Sequence, residues 1–131
     1  MIPPVPDHDD TPFWDGVREG RLLLQRCADC HTTRHPPSPM CARCHSVRHE
    51  WFDASGNGRV YSWIASRHPN ATEDEAPRIV ALIDLDEGVR MVSNLLDVDL
   101  ADVHAGLPVR VTFVDCDGTT LPQFVPAEVA R

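Results

Sequence analysis

The chain has 131 residues, 42% hydrophobic and 24% charged, which suits one ordinary globular domain or two very small ones sharing a core. That length excludes a multidomain enzyme, and that composition excludes a disordered chain or a fibrous repeat. All 12 basic residues are arginine; residues 1–68 hold 8 Arg against 8 acids and residues 69–131 hold 4 against 12, so the net charge of −8 lies wholly in the C-terminal half. A surface of that sign repels phosphate backbones, which are bound by displacing counterions with Lys and Arg.

The opening MIPPVPDHDD lacks the charged and apolar regions of a secretion signal, and no apolar run approaches the roughly 20 residues that span a bilayer. The expected location is cytoplasmic, with no membrane partner. Thr11 reads as a helix N-cap and Pro12 as the first helical residue, with Phe13, Trp14 and Val17 as an apolar stripe and Gly20 as the stop. Arg21 to Arg26 (RLLLQR) reads as a strand. Pro36, Pro37 and Pro39 forbid a helix between residues 27 and 45, which are expected to be loops and short ribbons.

From Trp51 onward the signals are β: three segments of β-branched and aromatic residues, punctuated by Gly, Asp and Pro, contain about five strands. Asp86, Glu87 and Gly88 predict one hairpin turn, Asp117 and Gly118 another, and Asp97 to His104 one helical turn. Pro69 to Pro77 reads as a polar, acidic, mobile loop. Five short strands broken by a small helix suit a closed barrel of the OB type better than a sandwich, which usually needs about seven.

The strongest motif is Cys27-Ala-Asp-Cys30 with Cys41-Ala-Arg-Cys44, two C-x-x-C pairs separated by ten residues. Each pair places two thiolates on one tight turn, and two such turns complete a tetrahedral shell of four sulfurs, the closed coordination typical of structural zinc. Because the segment is poor in apolar residues, such an ion would serve as its core. Two rival readings use the same residues. His31 and His45 make both pairs match C-x-x-C-H, the attachment pattern of c-type haem, which needs export and enough protein to cover two haems. A redox or disulfide role needs an oxidising compartment or a βαβ surround. Cys116 reads as a small hydrophobe at a strand end.

No catalytic residue is assigned. His31, His35, His45 and His49 crowd the ribbon without a carboxylate or nucleophile at a connectable spacing, and Asp84, Asp86 and Glu87 read as turn and edge residues beside Gly88. Trp51, Phe52, Tyr61 and Trp63 offer aromatics beside the first barrel strand, but without a basic groove core packing is the expected fate of at least half of them. Phe13 and Trp14, with Leu121, Phe124 and Val125, are expected either to dock on a partner or to fold back on the barrel.

Four stretches together carry a family resemblance: FWDGVREGRLLLQRC at Phe13 to Cys27, the paired knuckles through Cys44, SGNGRVYSW at Ser55 to Trp63, and LPQFVPA at Leu121 to Ala127. In this order they resemble the "domain of unknown function 35" family. The resemblance implies a mainly β chain divided into an N-terminal arm and helix (1–25), a rubredoxin-like zinc ribbon (26–52) and a five-stranded OB-fold (53–131). It also implies zinc held by Cys27, Cys30, Cys41 and Cys44, and an accessory role beside thiolase-like acyl-CoA enzymes. These include lipid-transfer-type steroid side-chain aldolases and acyltransferases, with the catalytic residues in the partner. The alternatives are a partner of a MaoC-like enoyl-CoA hydratase, or an independent module binding acyl-CoA or nucleic acid. Arg59, Arg67, Arg78 and Arg90 are the candidates for reaching CoA phosphates, against the simpler reading of each as a solvated surface residue.

Overall fold

A computed structural model describes residues 9–127 apart from 68, 71, 73 and 74. Helix α1 spans Thr11–Arg18, and its N-cap is Asp10 rather than Thr11. The first turn closes one residue earlier than expected because the Trp14 N–H donates to the Asp10 carbonyl (3.1 Å). Gly20 ends the helix as predicted: at φ 77° it lets its own N–H reach the Val17 carbonyl (3.0 Å) and that of Arg21 reach Gly16 (2.8 Å), a Schellman stop. Phe13 and Val17 are buried on one face of this helix, while Trp14 is half-buried.

The chain then forms a three-stranded antiparallel ribbon sheet from β1 (Leu23–Cys27), β2 (Thr33–Arg34) and β3 (His49–Asp53), in the order β2-β1-β3. The predicted strand begins two residues late because Arg21 is used otherwise. Its guanidinium grips Asp53 through Nε to Oδ1 (2.9 Å) and Nη2 to Oδ2 (3.1 Å), holding that carboxyl below its usual pKa and fastening the end of β3 to the turn after α1.

The remaining strands are β4 (Asn57–Ser66), β5 (Arg78–Leu85), β6 (Arg90–Leu95), β7 (Pro108–Cys116) and β8 (Thr119–Pro126). They close a five-stranded barrel in the order β4-β5-β6-β8-β7, the predicted OB type. Both hairpins fall where the turn residues put them: Gly88 has φ 88°, and Asp117 and Gly118 have φ 49° and 86°, the paired positive values of a tight hairpin turn. Between β6 and β7 a single 3-10 turn covers Leu100–Asp102. Residues 71, 73 and 74 of the predicted mobile loop lie outside the described residues.

Alternate residues of β5 point inward, with Ile79, Ala81, Ile83 and Leu85 all buried, and they join Phe13, Val17, Leu22 and Leu24 in one continuous core. Leu121, Phe124 and Val125 are buried as well, so the C-terminal apolar residues fold back on their own barrel. Trp51 and Phe52 stand on β3 of the ribbon sheet, paired with β1. They and Trp63 are partly buried against the core. Tyr61 is exposed, alternating with buried Val60, and a bulge between Val60 and Ser62 leaves it unpaired with β5.

SGNGRVYSW owes its two glycines to close approach. A Cβ on Gly58 would lie 2.6 Å from the Asp84 carbonyl oxygen and 2.9 Å from Ile83 Cγ2, and Gly56 combines φ 83° with Val111 Cγ1 at 2.5 Å. Gly58→Ala must therefore push β4 off β5. The expected loss is about 1–3 kcal/mol of stability, the ordinary cost of overpacking, measured by urea denaturation followed through tryptophan fluorescence.

Candidate metal centre

The ribbon sheet feeds two knuckles with one hydrogen-bond pattern. In the first, the Cys27 N–H donates to the Thr32 carbonyl (2.9 Å) and the His31 N–H to the Cys27 carbonyl (3.0 Å). In the second, Cys41 donates to Ser46 and His45 to Cys41, both at 2.9 Å. Each knuckle turns back through a left-handed residue, His31 at φ 64° and His45 at φ 62°. Both histidines are exposed. They are the turning residues of the knuckles, which explains the C-x-x-C-H pattern without haem.

The two turns face each other. Cys27 Sγ lies 3.5 Å from Cys44 Sγ, Cys30 Sγ lies 3.6 Å from Cys41 Sγ, and all four sulfurs fall within 4.8 Å of one another. Sulfurs about 2.3 Å from a common zinc stand about 3.8 Å apart in a tetrahedron, so the set fits that ion with only a slight expansion. Cys27 and Cys41 are buried, while Cys44 is exposed.

The acidities point the same way. The backbone N–H of Cys30, at 3.5 Å from Cys27 Sγ, lowers the Cys27 thiol, and the N–H of Asp29 assists. The Thr32 hydroxyl does the same for Cys30, and the N–H groups of Cys44 and Arg43 for Cys41. Cys44 goes the other way. The Ser46 N–H pulls its pKa down, but contacts with Cys27, Cys30 and Cys41, together with desolvation, push it up to about 12. Binding a divalent ion would require all four thiols as thiolates, so metal binding at this site would release protons.

A buried side chain with no counterpart among the sequence-based expectations supports the loop between the knuckles. Gln25, 1% exposed in the middle of RLLLQRC, accepts from the Ser38 N–H (2.8 Å) and from Arg34 Nε, while Arg34 Nη2 donates to the Ser38 carbonyl (2.9 Å). Its one signal was a polar residue embedded in an apolar strand. Asp29 joins the two knuckles by pairing with Arg48 (2.8 Å) and accepting from Ser46.

The structure separates the four arginines proposed for CoA phosphates. Arg59 stands opposite Asp84, which in turn stands opposite Arg90, whereas Arg78 stands opposite Ser66 at the other end of β4 and β5. Arg90 pairs with Asp84 (2.7 Å) and covers the Tyr61 ring (3.6 Å to its centroid). Arg59 donates to the Gly106 carbonyl (3.1 Å), and Arg67 to that of Glu75. Asp84 and Glu87 have the structural roles expected of them, Glu87 accepting from the Ser55 N–H (3.0 Å). Half-buried His35 lies against Phe13 (5.4 Å between ring centroids), and desolvation lowers its pKa, so it stays neutral at pH 7. Cys116 ends β7, half-buried. Among the described residues no helix is long and apolar enough to cross a membrane.

A four-cysteine ribbon followed by a closed five-stranded barrel defines a zinc ribbon joined to an OB-fold. Residues 14–50 match the family model of the ChsH2 rubredoxin-like zinc ribbon domain, and residues 51–114 match that of the ChsH2 C-terminal OB-fold domain. The chain belongs to the DUF35 family, and it carries a structural zinc ribbon. It is 31% identical over 103 residues to a DUF35 domain-containing scaffold protein of Methanocaldococcus jannaschii, covering 76% of this chain and 73% of that one. It is 42% identical over 120 residues to a probable enoyl-CoA hydratase alpha subunit of Thermomonospora curvata, covering 90% of this chain and 38% of the relative. It is 38% identical over 128 residues to the 3-oxo-4,17-pregnadiene-20-carboxyl-CoA hydratase alpha subunit of Mycobacterium tuberculosis, covering 98% and 41%. The chain thus spans about two fifths of the length of these two hydratase subunits. Among solved structures, a chain of an Ltp2-ChsH2(DUF35) aldolase superposes with a TM-score of 0.86 at 38% identity, covering 94% of this chain and 98% of that one.

If His31 and His45 serve only as turning residues, glycine should replace both without loss of metal. The double variant His31→Gly, His45→Gly is expected to keep its full zinc content, with stability within about 1 kcal/mol of the parent, because relief of left-handed strain offsets the entropy glycine adds to the unfolded chain. Elemental analysis and thermal melting measure both quantities.

Proposed function

We propose that this chain is a non-catalytic accessory subunit of a thiolase-like acyl-CoA enzyme, a steroid side-chain retro-aldolase or an acyltransferase, within a cytoplasmic hetero-oligomer. The observation that carries this reading is the near end-to-end correspondence with a chain of the Ltp2-ChsH2(DUF35) aldolase, at full domain length and with the same fold. On this reading the reacting groups belong to the partner, while this chain stabilises it and helps to hold or channel the acyl-CoA. A second reading, partnership with a MaoC-like enoyl-CoA hydratase, is favoured by the two hydratase alpha subunits among its relatives.

Within the subunit, Cys27, Cys30, Cys41 and Cys44 hold the zinc, supported by their mutual spacing. Residues 26–52 act as the ribbon and 53–131 as the OB-fold. The ion's task is structural, because four protein ligands leave no position for water or substrate.

Two outcomes are expected. Protein purified without added zinc should contain one equivalent of it and show no Soret band. Cys41→Ser should lose the ion and unfold the ribbon, since structural zinc binding contributes about 10 kcal/mol or more to such a segment. Co-expressed with a thiolase-like partner, the chain should co-elute with it on size-exclusion chromatography. The pair, but neither component alone, should then catalyse retro-aldol cleavage or acyl transfer. Full partner activity without this chain refutes the accessory role, and activity only in hydration assays with a MaoC-like partner selects the second reading.

A further inference from the structure

The barrel's parallel seam leaves a groove. Strands β6 and β8 share a single register pair, Leu95 with Phe124, closed by the Leu96 N–H donating to the Phe124 carbonyl (2.8 Å). Beyond that pair no backbone pairing joins the two strands, and the Ser93 hydroxyl bridges them instead, donating to the Pro122 carbonyl (2.8 Å). Four consecutive residues of β6, Met91 to Asn94, and three of β8, Leu121 to Gln123, line a cavity of about 490 Å³ there. Alternate strand residues would line it if it faced one surface of the sheet; consecutive ones do so because it opens on the strand edges. Helix α1 and the proline loop form the opposite wall, through Phe13, Trp14 and Pro36. A second cavity of about 200 Å³ continues past Val114 and Cys116, and Arg78, Asn94, Leu121 and Gln123 line both.

Two polar groups stand at the junction without partners among the described residues. Gln123 is 8% exposed, and its side-chain amide makes no hydrogen bond to them, so its polar atoms stay open on the cavity wall. Arg78 forms no ion pair with them, unlike Arg18, Arg21, Arg26, Arg48 and Arg90. Asn94 is already engaged, donating to the Ile79 carbonyl (3.3 Å). The walls are largely apolar, the polar donors are few and convergent, and the size is that of a small-molecule site.

We propose that this groove binds an apolar monocarboxylate, its chain lying against Phe13, Trp14, Pro36 and Leu121 and its carboxylate accepting from the Arg78 guanidinium and the Gln123 amide. One arginine matches one negative charge. A polyphosphate would meet no second lining arginine among the described residues, and it would meet Asp10 on the same wall. The site does not depend on the accessory role: it requires only this chain.

Isothermal titration of the zinc-loaded full chain with sodium decanoate tests it, together with nitrogen-15 NMR of the same titration. The expected result is saturable 1:1 binding that shifts the Trp14 indole and Gln123 amide signals. Arg78→Gln should bind at least roughly tenfold more weakly, while Arg110→Gln, removing an exposed arginine on β7 outside the groove, should bind as the parent does. Decylamine and decanol, which lack the carboxylate, should bind at least roughly tenfold more weakly than decanoate. Equal binding of decylamine or decanol, an Arg78→Gln variant indistinguishable from the parent, or no saturable binding would each overturn the proposal.

Discussion

The whole barrel closes through one contact. Strands β6 and β8 run parallel and meet at a single register pair, Leu95 with Phe124, where the Phe124 ring has no exposed surface and its carbonyl accepts from the Leu96 N–H. Every other junction of the barrel is antiparallel, and two of them are short hairpins that form locally. The parallel junction has no such help, so it depends on burial of Phe124 among residues from the rest of the core. α1 also packs against β8, and Phe124 shares one buried core with Phe13 and Val17 of that helix. The lack of backbone pairing between β6 and β8 beyond that pair is what leaves the seam groove.

Ribbon and barrel are stabilised in different ways. The barrel and α1 share one apolar core that reaches back through Leu22 and Leu24 of β1, so the start of the ribbon sheet is anchored by hydrophobic burial. Beyond Cys27 apolar burial runs out, and the knuckles are held by backbone hydrogen bonds, by Gln25 beneath the proline loop, by Asp29 bridging to Arg48 and Ser46, and by the four sulfurs. The Asp29 bridge lies near the surface, where an exposed ion pair is worth at most about 1 kcal/mol. On the proposed assignment, metal binding is the stabilising contribution this segment lacks apolar burial to replace, and β1 couples it to the barrel core.

Charge follows the same division. Among the described residues, four of the eight arginines in the N-terminal half pair with carboxylates, as in the Arg21–Asp53 and Arg26–Glu50 pairs across the ribbon. On the barrel, Arg90 is shared between Asp84 and the Tyr61 face, and the unmatched charge is mostly acidic. The net charge of −8 in the C-terminal half opposes the approach of a phosphate backbone to the barrel.

Much of this was legible in the sequence wherever the determinant is local. Gly20, Gly88 and the Asp117–Gly118 pair stop or turn the chain because only particular backbone angles permit those turns, and such preferences are carried by single residues. The four cysteines are legible for the same reason, since each knuckle is a short self-contained turn with fixed ligand spacing. The family resemblance rests on just these local features in order. Tertiary structure decided the rest: that Leu121, Phe124 and Val125 fold inward, that Gln25 is buried, and that the four candidate arginines are divided between opposite ends of β4 and β5. Each of these depends on which strand lies beside which. A period-two pattern tells that a strand has two faces, but only the closed pairing of β4, β5, β6, β8 and β7 determines which face meets the core, because that choice is fixed by burial summed over residues far apart in the chain.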